Sequence, residues 1–174
     1  MKLLFVCTGN TCRSPMAEAF FRKAAAERGV GERFCARSCG LAASAGAPAS
    51  VHAAEAAAEL GADLSEHRSR MATPELLAGA DAIYCMSPAH RAAIVSALPQ
   101  LSGRVFVLDP PVPDPFGGDL AAYRATARAL NAEVNGLLDA LCGADGFPAR
   151  APSAPPAAAK PPQTNLETEG ETDE

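Results

Sequence analysis

Three residues of this chain have side chains and surroundings suited to covalent chemistry: Cys7, Arg13 and Asp114. Cys7 follows the apolar run Leu3-Leu4-Phe5-Val6 and opens the segment Cys7-Thr-Gly-Asn-Thr-Cys-Arg13-Ser14, after which Pro15-Met16-Ala17-Glu18 reads as a helix start. A loop that closes onto a helix N-terminus turns backbone N–H groups and the positive end of the helix dipole toward one point. With a thiol at its floor, such a loop traps a tetrahedral dianion beside a nucleophile. Phosphoryl transfer to sulfur is the chemistry it suits.

Each loop position has a physical reason. Gly9 lets the backbone approach an anion closely, and Asn10 tolerates the left-handed conformation that a curled loop needs. Arg13 presents a planar fork that holds two phosphate oxygens at once, which lysine does not. The inward N–H groups favour the thiolate of Cys7, and the Ser14 hydroxyl is a further donor to it. Thr8, Gly9, Asn10, Thr11, Cys12 and Ser14 are therefore expected to line the substrate's phosphoryl group. The pattern contains neither the GxxxxGK of a nucleotide-binding P-loop nor the GxGxxG of a dinucleotide site.

Thiolate attack on phosphorus needs an acid to protonate the departing group, and later a base for water. Asp114, in Asp114-Pro115-Phe116-Gly117-Gly118, is the expected residue: Pro115 stiffens the backbone after it, and Phe116 is expected to wall the pocket. Asp109, before Pro110, is the rival carboxylate.

These residues must be brought together by the elements around them. Lys2–Val6 reads as a strand buried on both faces. Ser14 and Pro15 are expected to cap and open a helix running to Arg28, with Met16, Phe20, Phe21 and Ala24 as its buried stripe and Gly29 as its stop. A second strand is predicted over Arg33–Ser38, a helix from Ser50 to Leu60, and a short helix after Thr73-Pro74. A strand follows over Ala82–Met86, a helix opened by Ser87-Pro88, a last strand over Arg104–Leu108 and a closing helix over Asp119–Leu141. Strands separated by helices predict an α/β fold, a four-stranded parallel twisted sheet with helices on both faces. The loop after the first strand then lies at the carboxyl edge of the sheet, where open α/β folds bind ligands, and the loop carrying Asp114 lies on the same rim.

The whole chain narrows the class further. It has 174 residues and a net charge of −5, with no basic stretch, which argues against nucleic acid as a partner. The N-terminal apolar run is too short for a signal peptide or a spanning helix, so no membrane partner and a cytoplasmic setting with reduced cysteines are expected. Cys35 and Cys39 lack a second pair or nearby histidines, so no metal and no cofactor are expected. From Phe147 to Pro162 the chain is rich in Pro and Ala, and Glu167 to Glu174 carries five acids and no base. The reading is one domain over 1–142 and a disordered tail over 143–174.

The segment Cys7–Ser14 followed by Pro15-Met16-Ala17-Glu18 resembles the signature of the low-molecular-weight protein tyrosine phosphatase family, and Asp114-Pro115-Phe116 resembles that family's general-acid loop. The resemblance implies a phosphocysteine intermediate on Cys7, Arg13 stabilising the transition state, Asp114 as acid then base, no metal, and phosphorylated proteins or peptides as partners. Arg37-Ser38-x-Gly40 and Glu66-His67-Arg68-Ser69-Arg70 also resemble family segments, which would place Ser38 and His67 in a network supporting Asn10 and Ser14. Most members carry an aliphatic residue between the asparagine and the second cysteine. Thr11 there, with Gly117-Gly118, resembles the bacterial protein arginine phosphatase branch and implies phosphoarginine as substrate, with phosphotyrosine as the alternative. Thiol-dependent arsenate reduction uses the same fold and is the more distant reading, because no closely spaced downstream cysteine pair is present. The spacing of Cys7 and Cys12 further suggests a reversible protective disulfide. His52 and His90 are read as surface residues.

Overall fold

The computed structural model describes residues 1–143; the tail expected from Gly143 onward therefore falls, from residue 144, outside the described residues. Four strands form one parallel sheet in the order β2-β1-β3-β4: β1 (Lys2–Cys7), β2 (Cys35–Gly40), β3 (Ala82–Cys85) and β4 (Val105–Val107). The helices are α1 (Arg13–Glu27), α2 (Val51–Glu59), α3 (Pro74–Ala78), α4 (Pro88–Ala97) and α5 (Leu120–Cys142). Central β1 is apolar on both faces because both are covered. Leu3, Phe5 and Cys7 join the core made with α1, α2 and α5, while Leu4 and Val6 join Leu77 of α3 and Ile94 of α4 on the other side. Phe5, Phe20 and Phe21 are completely buried at the first interface, where truncation of one such ring costs about 3–5 kcal/mol. Among the described residues no helix is long and apolar enough to cross a membrane.

Several predicted boundaries hold. Ser50, Thr73, Ser87 and Asp119 cap α2, α3, α4 and α5, each side chain accepting a backbone N–H from three residues on. Two differ. The second strand begins later than predicted because Gly31–Arg33 is a 3₁₀ turn, and it runs on to Gly40, which pairs with Cys7. A side chain at Gly40 would place its Cβ 2.4 Å from the Thr8 carbonyl oxygen, so this position admits the loop after β1 only as glycine. The first helix begins at Arg13, not after Ser14, and its cap position, Cys12, makes no side-chain capping hydrogen bond to the helix. Ser14 is not the cap because its hydroxyl is used inside the loop. The leading N–H groups of α1 thus have no side-chain cap.

Candidate active site

The loop from Cys7 to Arg13 is shaped around Asn10. Its φ of 54° makes it the one non-glycine residue with positive φ among those described, and it is fully buried. Every polar group of Asn10 is used. Its N–H donates to Cys7 Sγ at 3.2 Å, and its Nδ2 donates to Ser14 Oγ at 2.9 Å and Ser38 Oγ at 3.0 Å. Its Oδ1 accepts the Arg70 N–H at 2.9 Å, and its carbonyl accepts from His67 Nε2 at 2.7 Å. Ser38 in turn donates to Glu18 Oε2 at 2.6 Å. Ser38 and His67 therefore both contact Asn10, from β2 and from the loop before α3.

Ser14 Oγ lies 2.9 Å from Cys7 Sγ and 3.3 Å from the Cys39 carbonyl. It has one proton for two acceptors. When Cys7 is a thiolate, the sulfur is the nearer and the charged acceptor, so the proton belongs there. Cys7 itself is buried, with its sulfur at the floor of the loop.

Arg13 is buried in the first turn of α1. Its guanidinium donates to the Val112 carbonyl at 3.2 Å and forms an ion pair with Asp114, whose side chain is 46% exposed. The loop after β4 thus folds back over the loop after β1. Asp114 Oδ1 also accepts the Phe116 N–H at 3.2 Å, which fixes the turn. Asp109, by contrast, lies near Glu133 of α5: burial, and secondarily the charge of Asp109, push the Glu133 carboxyl up. Phe116 is 81% exposed and walls no enclosed pocket. Leu41 packs on the core beneath α3 and α4.

The other loop residues have partners as well. Cys12 Sγ is 3.3 Å from Ser50 Oγ and 3.4 Å from Tyr123 Oη, and the Ser50 N–H donates to the Thr11 carbonyl at 2.9 Å. Burial and the bond to Cys12 push the Tyr123 phenol up. Thr11 Oγ1 lies 3.7 Å from Cys12 Sγ, and a Cβ on Gly9 would meet Thr11 Oγ1 at 3.6 Å, an ordinary contact. The tight approach between backbones in this region is at Gly40, which lies against Thr8, Gly9 and Asn10. Thr8 Oγ1 meets His90 Nε2 at 2.9 Å. Burial first, then the charge of Arg13, hold the His90 pKa below its ordinary 6.5, opposed in part by Asp114. Among the described residues no three His, Cys, Asp or Glu side chains cluster to hold a metal ion.

Glu18, Ser50, His90 and Tyr123 escape a reading of motifs alone. Two left signals. Glu18 lies one helical turn after Ser14, beside the fully buried Ala17, and a carboxylate on a buried face demands a donor. His90 follows the cap residue Ser87 directly after β3, on the ligand-binding rim. Ser50 and Tyr123 carry no local signal, since tertiary packing brings them to Cys12.

A family model for low molecular weight phosphotyrosine protein phosphatases matches residues 2–144. A protein-arginine-phosphatase of Bacillus subtilis is 40% identical over 137 residues, covering 75% of this chain and 89% of that protein. A probable low molecular weight protein-tyrosine-phosphatase EpsP of Ralstonia nicotianae is 35% identical over 137 residues, 76% of this chain and 90% of that protein. Among solved structures, a YwlE arginine phosphatase in which serine replaces cysteine, with the active-site serine phosphorylated, aligns with a TM-score of 0.78 and 37% identity, over 82% of this chain and 96% of that one. The sheet agrees with these structures, and the chain belongs to the low molecular weight phosphotyrosine protein phosphatase family.

Proposed function

We propose that the protein is a cysteine-dependent protein phosphatase that acts on phosphoarginine in proteins through a phosphocysteine intermediate. The observation that carries the catalytic part is the convergence of two loops, in which Asp114 after β4 pairs with Arg13 at the end of the loop that Cys7 opens. The phosphoryl dianion enters the ring of N–H groups and takes the Arg13 fork away from Asp114, leaving that carboxyl to carry a proton. The Cys7 thiolate then attacks phosphorus, the bond to the substrate nitrogen breaks, and Asp114 delivers its proton to that nitrogen. In the second step Asp114 removes a proton from water as it attacks phosphocysteine, and inorganic phosphate leaves with the thiolate restored. Arg13 and the loop amides hold the equatorial oxygens throughout.

Thr11 supports the arginine reading. It is close in shape to valine but carries a hydroxyl, which a planar, polar guanidinium beside phosphorus can use and a phenol ring cannot. The similarity to the Bacillus subtilis protein-arginine-phosphatase points the same way. The exposed Phe116 ring beside Asp114, and the similarity to EpsP, favour phosphotyrosine as the second reading. A cytoplasmic location fits either substrate.

The test compares kcat/KM on phosphoarginine and phosphotyrosine peptides for the wild type and Thr11→Ile, with Cys7→Ser as the inactive control. Preference for phosphoarginine, reversed by Thr11→Ile, supports the proposal. Preference for phosphotyrosine in both proteins rejects the arginine assignment, and turnover by Cys7→Ser rejects the nucleophile.

A further inference from the structure

The histidine at the start of α4 is tied at both ring nitrogens. Nε2 lies 2.9 Å from Thr8 Oγ1 and Nδ1 lies 2.8 Å from Ser87 Oγ, which also accepts the His90 N–H at 3.4 Å as the cap of α4. A hydroxyl can give or take a hydrogen bond, so a neutral ring in either tautomer is satisfied here. Thr8 Oγ1 spends one bond on His90 and keeps capacity for another. Thr8 is exposed while Cys7 is buried, and the charges that act on its partner His90 are those of Arg13 and Asp114, so this pair borders the site.

Thr11 is held from the other direction. Its carbonyl takes the Ser50 N–H at the start of α2, and α2 and α4 cover opposite faces of the sheet. The two threonines of the loop are therefore anchored on opposite banks, Thr8 to α4 and Thr11 to α2. A guanidinium carries N–H donors along both of its edges, and one acceptor on each bank suits it. A phenol carries none at those edges. The charged groups near His90 are Arg13 and Asp114; Arg91 of its own helix turns away, donating to the Val105 carbonyl at 3.0 Å. A neutral ring at this place adds no second cation beside a cationic leaving group.

We propose that His90 is a positioning residue that fixes the Thr8 hydroxyl as a second polar wall for the leaving group, opposite Thr11. This rests on the phosphoarginine reading above and extends it to a residue outside the loop. The test measures kcat/KM on phosphoarginine and phosphotyrosine peptides of one sequence for His90→Phe, His90→Gln, Thr8→Val and the His90→Phe/Thr8→Val double variant. Each of His90→Phe and Thr8→Val lowers the phosphoarginine-to-phosphotyrosine ratio by about tenfold, the size of one lost hydrogen bond. The double variant falls no further than Thr8→Val alone, because both substitutions remove one interaction. Glutamine, whose amide can meet a hydroxyl, restores part of the ratio.

Multiplying single effects, an equal loss on both substrates, or glutamine no better than phenylalanine would overturn the proposal. Should His90→Phe fail to fold, Thr8→Val at its exposed site still reads the ratio, and an unchanged ratio there is equally fatal. A wild type that prefers phosphotyrosine, with His90 and Thr8 still non-additive on that substrate, rejects the phosphoarginine reading while the positioning role stands.

Discussion

Replacing Asn10 by alanine should unlock the phosphate loop, and the structure allows the cost to be worked. Alanine loses the two bonds donated by Nδ2 and the one accepted by Oδ1, and it leaves the Arg70 N–H without that partner. At about 1 kcal/mol net per hydrogen bond, this is about 3 kcal/mol. Alanine must also hold φ at 54°, for which a left-handed L-residue costs about 1–2 kcal/mol. The sum is about 4–5 kcal/mol, a large share of the 5–15 kcal/mol that is typical of whole domains. Asn10→Gly separates the two contributions. It loses the same bonds without the strain, so it should lie about 1 kcal/mol above alanine after its own unfolded-chain entropy is counted.

Urea unfolding with an unchanged slope reads these differences directly, and vanadate binding reads the loop. Both variants should bind vanadate more weakly than wild type, glycine less so than alanine. An alanine variant within about 1 kcal/mol of wild type would show that the side-chain network does not hold the loop. A glycine variant less stable than alanine would show that positive φ is not a constraint at this position.

Three further outcomes are expected. Asp114→Ala should lower kcat by about 10²–10⁴-fold with the fold intact; an unchanged kcat would move the acid to another group, Asp109 first. Cys39 and Cys85 are buried, and burial pushes both thiols up to about 12, so near neutral pH iodoacetamide should modify the exposed Cys35 well before them. Labelling of all three at one rate, followed by mass spectrometry of the folded protein, would contradict that burial. The His90 pKa is lowered on folding, so below its ordinary 6.5 the unfolded chain takes up a proton that the folded protein resists. Its contribution is present above that pH and is lost as pH falls toward the folded value. Unfolding free energies across an acid pH series should therefore fall more steeply for wild type than for His90→Gln, and a difference independent of pH would refute the assignment.

Much of the architecture is legible locally. The Leu3–Val6 run, the Ser-Pro and Thr-Pro helix openings and the glycines at positions 29 and 61 each act within a few residues, where propensity and capping decide the outcome. Both glycines take positive φ just past a helix end, as a chain leaving a helix commonly requires. The order of motifs likewise puts the Cys7 loop and the Asp114 loop on one rim, because parallel strands all end there.

The sequence alone was misleading where a side chain had to choose between a local and a distant partner. Ser14 is a good cap by type, but its hydroxyl meets Cys7 and accepts from Asn10 instead, and these buried contacts win. The sequence, by itself, singled out the proposed nucleophile, arginine and acid and determined the order of elements, because these depend on residue type and short-range spacing. The tertiary structure alone decided that Gly40 must be glycine beside the Thr8 carbonyl, that Glu18 holds the Ser38 hydroxyl that meets Asn10, and that His90 reaches Thr8. Those contacts join residues far apart in the chain, and only the packed sheet brings their backbones within hydrogen-bonding reach.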